Sequence, residues 1–263
     1  MRLTVKSIYQ KKKKREKIVA LTAYDSLFAD LLDSAGVDVL LVGDSVGMVL
    51  LGFDSTVPVT LRDMLHHTKA VARARPNALI VADMPYGSYD TVTRALRSAK
   101  RLIQEGGADA VKLEGGQRIE RQVKALVRAG IQVMGHLGMT PQTAGALGGY
   151  RVQGKHKAEA DKILRDAVRL DRLGVFSLVL ECVPAVLAGR VTKKVKCPTI
   201  GIGAGVKTDG QILVMHDMLG LEGKIHPRFV RAYAKLSSEV RRAVRCYRKD
   251  VLAGKFPSKT ESF

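Results

Sequence analysis

The chain has 263 residues, 46% of them hydrophobic and 26% charged, a composition that supplies a substantial core and excludes wholesale disorder or a collagen-like repeat. No run approaches the roughly 18 uninterrupted apolar residues of a membrane span, because Asp38, Asp44 and Ser45 break the most apolar region, 37–53. Forty-four Lys and Arg against 25 Asp and Glu leave a formal charge of +19. With no Trp, 5% aromatics and no zinc-finger or RNA-recognition signature, that charge reads as a diffuse solvated field, not a specific nucleic-acid face.

From the N-terminus the chain is polar and then strongly basic through Lys11, Lys12, Lys13, Lys14 and Arg15. It has no apolar core of a secretory signal, so a cytoplasmic location is expected. Short apolar runs then recur at 17–23 (KIVALTA), 38–42 (DVLLV), 78–82 (ALIVA), 109–113 (DAVKL), 131–135 (IQVMG), 177–180 (SLVL), 198–202 (PTIGI) and 211–215 (QILVM). Most are continuously apolar instead of alternating, as parallel strands covered on both faces are. Between them helical periodicity covers 26–35, 61–74 behind Thr60 as cap, 91–105, 119–129 and 158–173. The glycine-rich stretches 43–58 and 138–154 read as long loops. The segment 227–254 reads as one long basic helix or two short ones, and 255–263 has no pattern. Eight strand–helix units in this length predict an α/β fold, a single (β/α)8 TIM barrel over 1–263 with 227–254 as a C-terminal helical extension; an open doubly wound sheet is the alternative. Cys182, Cys197 and Cys246 are too few and too widely spaced for a disulfide framework or zinc site, and read as free thiols.

The apolar runs end in Tyr24 and Asp25, Asp44 and Ser45, Asp83, Glu114, His136, Glu181, Gly203 and Gly205, and His216 with Asp217. A barrel gathers these ends on one face, where its active site lies. Each alone is weak evidence, since a lone Asp after a strand is more often a helix cap. Together, Asp44, Asp83, Glu114 and Glu181 in an apolar mouth would repel one another unless a cation or protons neutralised them. Oxygen ligands without a Cys/His cluster favour a hard cation such as Mg2+, which can grip the carboxylate and keto oxygens of a 2-oxo acid and acidify the adjacent C–H. Lys112, two residues before Glu114 and so on the same strand face, would hold an oxyanion or the substrate carboxylate; a Schiff-base aldolase using Lys112 is the rival chemistry. His136 orients substrate or is simply hydrogen-bonded in the mouth. The GIGAG stretch resembles a phosphate cradle, but no Lys-Ser/Thr follows and a tight strand-to-helix turn explains its glycines equally well, so no nucleotide site is assigned; Cys182 reads as packing.

Asp44-Ser45 in LLVGDSVGMVLLGFDSTVPVT, Asp83 in VADMPYGSY, Lys112 and Glu114 in VKLEGG, His136 in GHLGMTPQ, Glu181 in LVLECVP, and GIGAGVKTDGQILVMHDMLG resemble the ketopantoate (3-methyl-2-oxobutanoate) hydroxymethyltransferase family over nearly the whole chain. The resemblance implies a phosphoenolpyruvate-mutase-like barrel. It also implies hydroxymethyl transfer from 5,10-methylenetetrahydrofolate to 3-methyl-2-oxobutanoate, giving 2-dehydropantoate, in the first committed step of pantothenate biosynthesis. Another lyase or isomerase of that barrel superfamily is the neighbouring alternative. Residue by residue, it implies that Asp44, Asp83 and Glu114 bind Mg2+, that Asp44, Ser45, Asp83 and Lys112 contact the 2-oxo acid, and that Glu181 is the base. It implies small-molecule partners, a 2-oxo acid and a folate, and a homodecamer. The charge of +19 is the departure from the family's usual near-neutral or acidic character.

Overall fold

The computed structural model describes residues 2–145, 149, 151–221 and 227–263, in two compact units, Met1–Leu213 and Val214–Phe263. In the first unit the order is α1 (Val5–Lys14), β1 (Ile18–Thr22), α2 (Ser26–Ser34), β2 (Val39–Val42), α3 (Val46–Val49), α4 (Leu61–Arg73), β3 (Leu79–Asp83), α5 (Val92–Gln104), β4 (Ala110–Glu114), α6 (Glu120–Arg128), β5 (Val133–Gly138), α7 (Lys157–Leu173), β6 (Ser177–Glu181), α8 (Ala185–Lys194), β7 (Thr199–Ile202) and β8 (Gly210–Leu213). The eight strands are parallel and close into a barrel in sequence order, β8 pairing with β1. The expected (β/α)8 barrel is therefore present, and the open sheet is not. At the closing seam Gly210 faces Ile18, and a Cβ there would lie 2.5 Å from the Ile18 carbonyl oxygen, so a side chain would hold the last strand off the first.

Inward-facing residues fill the barrel in layers. Ile18, Ala20, Val39, Leu41, Leu79, Val81, Ala110, Met134, Val179, Ile200 and Ile212 form one buried cluster, to which α1 contributes Ile8. The period of two carries each inward face upward from apolar to polar: Leu79 and Val81 lead to Asp83, Ala110 to Lys112 and Glu114, Met134 to His136, and Val179 to Glu181.

The structure differs from the sequence expectation in several places. The basic run at 11–15 closes α1, a helix absent from the predicted elements, which starts in a capping box between Thr4 and Ser7 and buries Ile8 completely. Two of its lysines are occupied: Lys11 bridges Asp38 at 2.7 Å, and Lys12 bridges Asp209 at 3.0 Å while donating to the carbonyls of Thr192, Val195 and Cys197. Helix α8, with Pro184 at its start and Leu187, Ala188 and Val191 buried, has no counterpart in the predicted elements. The stretch 203–209 runs from β7 into β8 without a helix, so GIGAG is not a strand-to-helix turn. The expected loop 43–58 contains the one-turn helix α3, and residues 146–148 and 150 of the other expected loop lie outside the described residues.

The second unit holds α9 (Met215–Met218), which carries His216 and Asp217, and α10 (Leu236–Leu252). The basic helix starts later than expected, because amides of Tyr233, Leu236 and Ser237 are spent on the carbonyls of Met218, Leu219 and Gly220. Residues 222–226 lie outside the described residues, and among those described no helix is long and apolar enough to cross a membrane.

Candidate active site

The tilt of a closed barrel staggers its strands, and the register turns that stagger into a stair of polar residues along the rim. Asp83 on β3 is paired with Lys112 on β4; two residues on, Glu114 is paired with His136 on β5; two further on, Gly138 is paired with Glu181 on β6. Each step stays on the inward face because side chains alternate along a strand. Gly138 is required at the last step: its φ is +99°, and a Cβ would lie 2.2 Å from the Glu181 carbonyl oxygen. Asp44, just beyond β2, joins the stair by donating its backbone N–H to Asp83 Oδ2 at 3.0 Å.

Five of the residues picked from the sequence, Asp44, Asp83, Lys112, Glu114 and His136, are buried together, and Glu181 stands at their edge. Lys112 Nζ is 2.8 Å from Asp83 Oδ1, a buried ion pair. His136 stands between two glutamates, with Nδ1 3.4 Å from Glu114 Oε1 and Nε2 3.1 Å from Glu181 Oε2. The Glu181 side chain is 12% exposed against 1% for Glu114, so Glu181 is the one that opens toward the mouth. Ser45 is held on the other flank by Tyr24, whose hydroxyl is 2.9 Å from Ser45 Oγ.

The charges are unevenly compensated. Burial, then the carboxylates of Asp83 and Glu114, push the Asp44 carboxyl well above the usual carboxylate range. Burial also raises Asp83, against the pull of the Lys112 ammonium. Glu114 goes the other way: burial is outweighed by His136 and Lys112, which lower it. Burial favours a neutral Lys112 amine, but Asp83, Glu114 and Asp44 overcome it and hold the ammonium more firmly than usual. For His136, burial and Lys112 favour the neutral ring, yet contacts to Glu114 and Glu181 raise its pKa to about 9. Lys112 Nζ also lies 3.3 Å from His136 Nδ1, within hydrogen-bond reach when that ring nitrogen carries no proton.

The residues present fit a divalent cation. Asp83 Oδ1 and Glu114 Oε1 are buried without a hydrogen-bond partner beyond their ion-pair contacts to Lys112 and His136, and burial with two neighbouring carboxylates makes the charged form of Asp44 costly, a cost that a cation would relieve. No three His, Cys, Asp or Glu side chains among the described residues close on one point as a ready-made cage. A hard cation held by one or two carboxylates and completed by substrate and water needs none.

Sequence reasoning missed two members of this cluster. Gln142 donates its amide to Asp44 Oδ2 at 2.7 Å and its backbone N–H to Glu114 Oε2 at 3.0 Å, and accepts from the Tyr89 hydroxyl. Gln142 closes the GHLGMTPQ stretch and Tyr89 closes VADMPYGSY, both quoted above, but no local pattern says where a loop glutamine or tyrosine points. Cys182, next to Glu181, takes φ of +47°, and burial pushes its thiol up to about 12, in line with a packing role.

The fold and the polar stair define a barrel enzyme with its chemistry at the C-terminal ends of the strands. Solved structures of the same architecture are a phosphonopyruvate hydrolase in complex with oxalate and Mg2+ (TM-score 0.67, 12% identity, covering 98% of this chain and 93% of that one) and 2,3-dimethylmalate lyase, a phosphoenolpyruvate mutase/isocitrate lyase superfamily member (TM-score 0.60, 16% identity, covering 100% and 93%). The family model for ketopantoate hydroxymethyltransferase matches residues 2–259. Relatives named 3-methyl-2-oxobutanoate hydroxymethyltransferase from Moorella thermoacetica and Thermus thermophilus are 56% and 52% identical over 263 residues, covering all of this chain and 98% and 100% of theirs. The chain belongs to the ketopantoate hydroxymethyltransferase family. It is a transferase, and its relatives' shared name assigns it to ketopantoate synthesis.

Proposed function

We propose that the protein transfers the one-carbon unit of 5,10-methylenetetrahydrofolate to C3 of 3-methyl-2-oxobutanoate, with Mg2+ held by Asp44, Asp83 and Glu114 and with Glu181 as base. The observation that carries this reading is the unequal treatment of the carboxylates: three are buried deep with Lys112, while Glu181 is set apart across His136 and opens to the mouth. Bound there, the ion would neutralise the carboxylates and polarise the keto oxygen of the substrate, lowering the pKa of its C3–H.

Everything else falls to side chains. Lys112, kept cationic by Asp83, attracts the substrate carboxylate and steadies the oxygen on which charge develops. The same charge state argues against the Schiff-base alternative, which needs a neutral amine to attack a carbonyl. Ser45, oriented by Tyr24, offers a hydroxyl on the flank of the 2-oxo acid. Glu181 takes the C3 proton. The carbon left behind bonds to the methylene carbon, whose two C–N bonds both break; water supplies the hydroxyl, and the two folate nitrogens take up the C3 proton and one water proton, releasing tetrahydrofolate and 2-dehydropantoate. His136, cationic at neutral pH, faces Glu181 Oε2 from Nε2 at 3.1 Å and holds that carboxylate in place until the proton arrives.

Homo-oligomer formation, decameric by the family resemblance, belongs to the same reading. It is supported by Val240, Val244, Tyr247 and Val251, which lie exposed along α10 at helical spacing.

The test is exchange of the C3 proton in D2O, followed by NMR with Mg2+ and no folate. Glu181→Gln slows exchange by about 10^3-fold while Mn2+ binding persists, because the shape remains and the base is gone. An unchanged exchange rate refutes the assignment.

A further inference from the structure

Each of the three buried carboxylates has one oxygen tied to an N–H. Asp83 Oδ2 accepts from the Asp44 backbone, Glu114 Oε2 from the Gln142 backbone, and Asp44 Oδ2 from the Gln142 side chain. The remaining oxygens of Asp83 and Glu114 are the ones without a hydrogen-bond partner. One residue of the loop after β5 thus restrains carboxylates from the ends of β2 and β4. It does so with an amide whose orientation is fully determined. Gln142 Nε2 spends one proton on Asp44 and the other on the Met84 carbonyl at 2.9 Å, while its oxygen accepts from Tyr89. Turning the amide over would set its oxygen against two acceptors.

On the reading of the site given above, we propose that Gln142, oriented by Tyr89, is a positioning residue that fixes the Asp44 and Glu114 carboxylates for the divalent cation and so sets the cation affinity of the barrel mouth. Without the amide, Asp44 faces the negative charge of Asp83 and Glu114 with no donor to hold it, and swings away from its neighbours. The cation then has to gather the carboxylates as it binds, and affinity falls by the work of doing so. Tyr89 acts one step further out, since its hydroxyl decides which end of the amide meets Asp44. The backbone N–H to Glu114 is unaffected by substitution of the side chain, so the two anchors separate experimentally.

The experiment titrates Mn2+ into purified, chelator-stripped protein without substrates and reads free Mn2+ by EPR, alongside circular dichroism and thermal unfolding in EDTA. Gln142→Met, which keeps the volume and removes the amide, weakens Mn2+ binding by about 10–100-fold, the usual cost of losing a hydrogen-bond partner of a metal ligand. Tyr89→Phe keeps the ring and weakens binding several-fold in the same direction. It carries the test alone should Gln142→Met fail to fold. The Gln142→Met loss in turnover is recovered at high Mg2+ with kcat largely restored. Mn2+ affinities within twofold of wild type in the folded variants overturn the inference and leave the magnesium reading standing, as does a lowered melting temperature without a change in affinity. Failure of the wild-type protein to bind Mn2+ overturns both.

Discussion

Acidic residues stand at both ends of this barrel and do opposite things there. At the N-terminal end Asp38, Asp109 and Asp209 each accept a backbone N–H from the preceding strand, from Val19, Ile80 and Thr199, at 2.8–2.9 Å. Each also has its own cation, Lys11, Arg2 and Lys12 respectively. At the C-terminal end Asp44, Asp83, Glu114 and Glu181 share Lys112 and His136, and two buried oxygens are left without a hydrogen bond. Carboxylates that finish strands and satisfy orphaned amides stabilise the fold, whereas carboxylates crowded beyond their compensation store a demand for a ligand. The two ends separate stability from chemistry along one axis, as barrels of this kind do.

Breaking the lower set harms folding and spares function. Lys12→Met leaves Asp209 without its cation and three carbonyls without a donor. With both side chains only 17% exposed, it costs on the order of 2–3 kcal/mol in urea unfolding while kcat of the folded fraction is unchanged. A fall in kcat with stability intact would erase the distinction between the ends.

Relaxing the upper set does the reverse. Asp44→Asn removes one of the crowded charges and keeps an acceptor for Gln142, so the metal-free protein gains about 0.5–2 kcal/mol and loses Mn2+ binding. The pH dependence follows from the raised carboxyl of Asp44. A group held protonated by the fold stabilises it below the unfolded pKa of about 4, and that contribution disappears as pH rises toward the higher folded value. The melting-temperature gap between Asp44→Asn and wild type in EDTA is therefore smallest near pH 4 and widens as pH rises. A gap independent of pH would mean that Asp44 is not the strained charge.

The smallest effect sharpens the lower set itself. Arg2→Ala breaks a 2.7 Å pair with Asp109, but Arg2 is 58% exposed, so solvent and salt screen it and the cost is at most about 0.5 kcal/mol. Losing as much there as at Lys12 would show that pairing, not burial, governs this end.

The strand count, the parallel sense of the barrel and the inward face of β4 were readable from linear order because each depends on residues within a few positions of one another. Continuous Val, Ile and Leu runs require cover on both faces, and Lys112 and Glu114 two apart share a side whatever the rest of the chain does. The gathering of Asp83, Glu114, His136 and Glu181 at one rim followed from closure, a consequence of the fold class as a whole. Other features had no local signature. Lys12 looked like one lysine in a basic run, and its partners lie 180 and more residues away at the carbonyls of Thr192, Val195 and Cys197. Gln142 looked like a loop residue, and its partner Asp44 is 98 positions distant. Periodicity reports which way a residue faces along its own element; which charge it meets is set by barrel closure, because that alone brings the ends of different strands within hydrogen-bond reach.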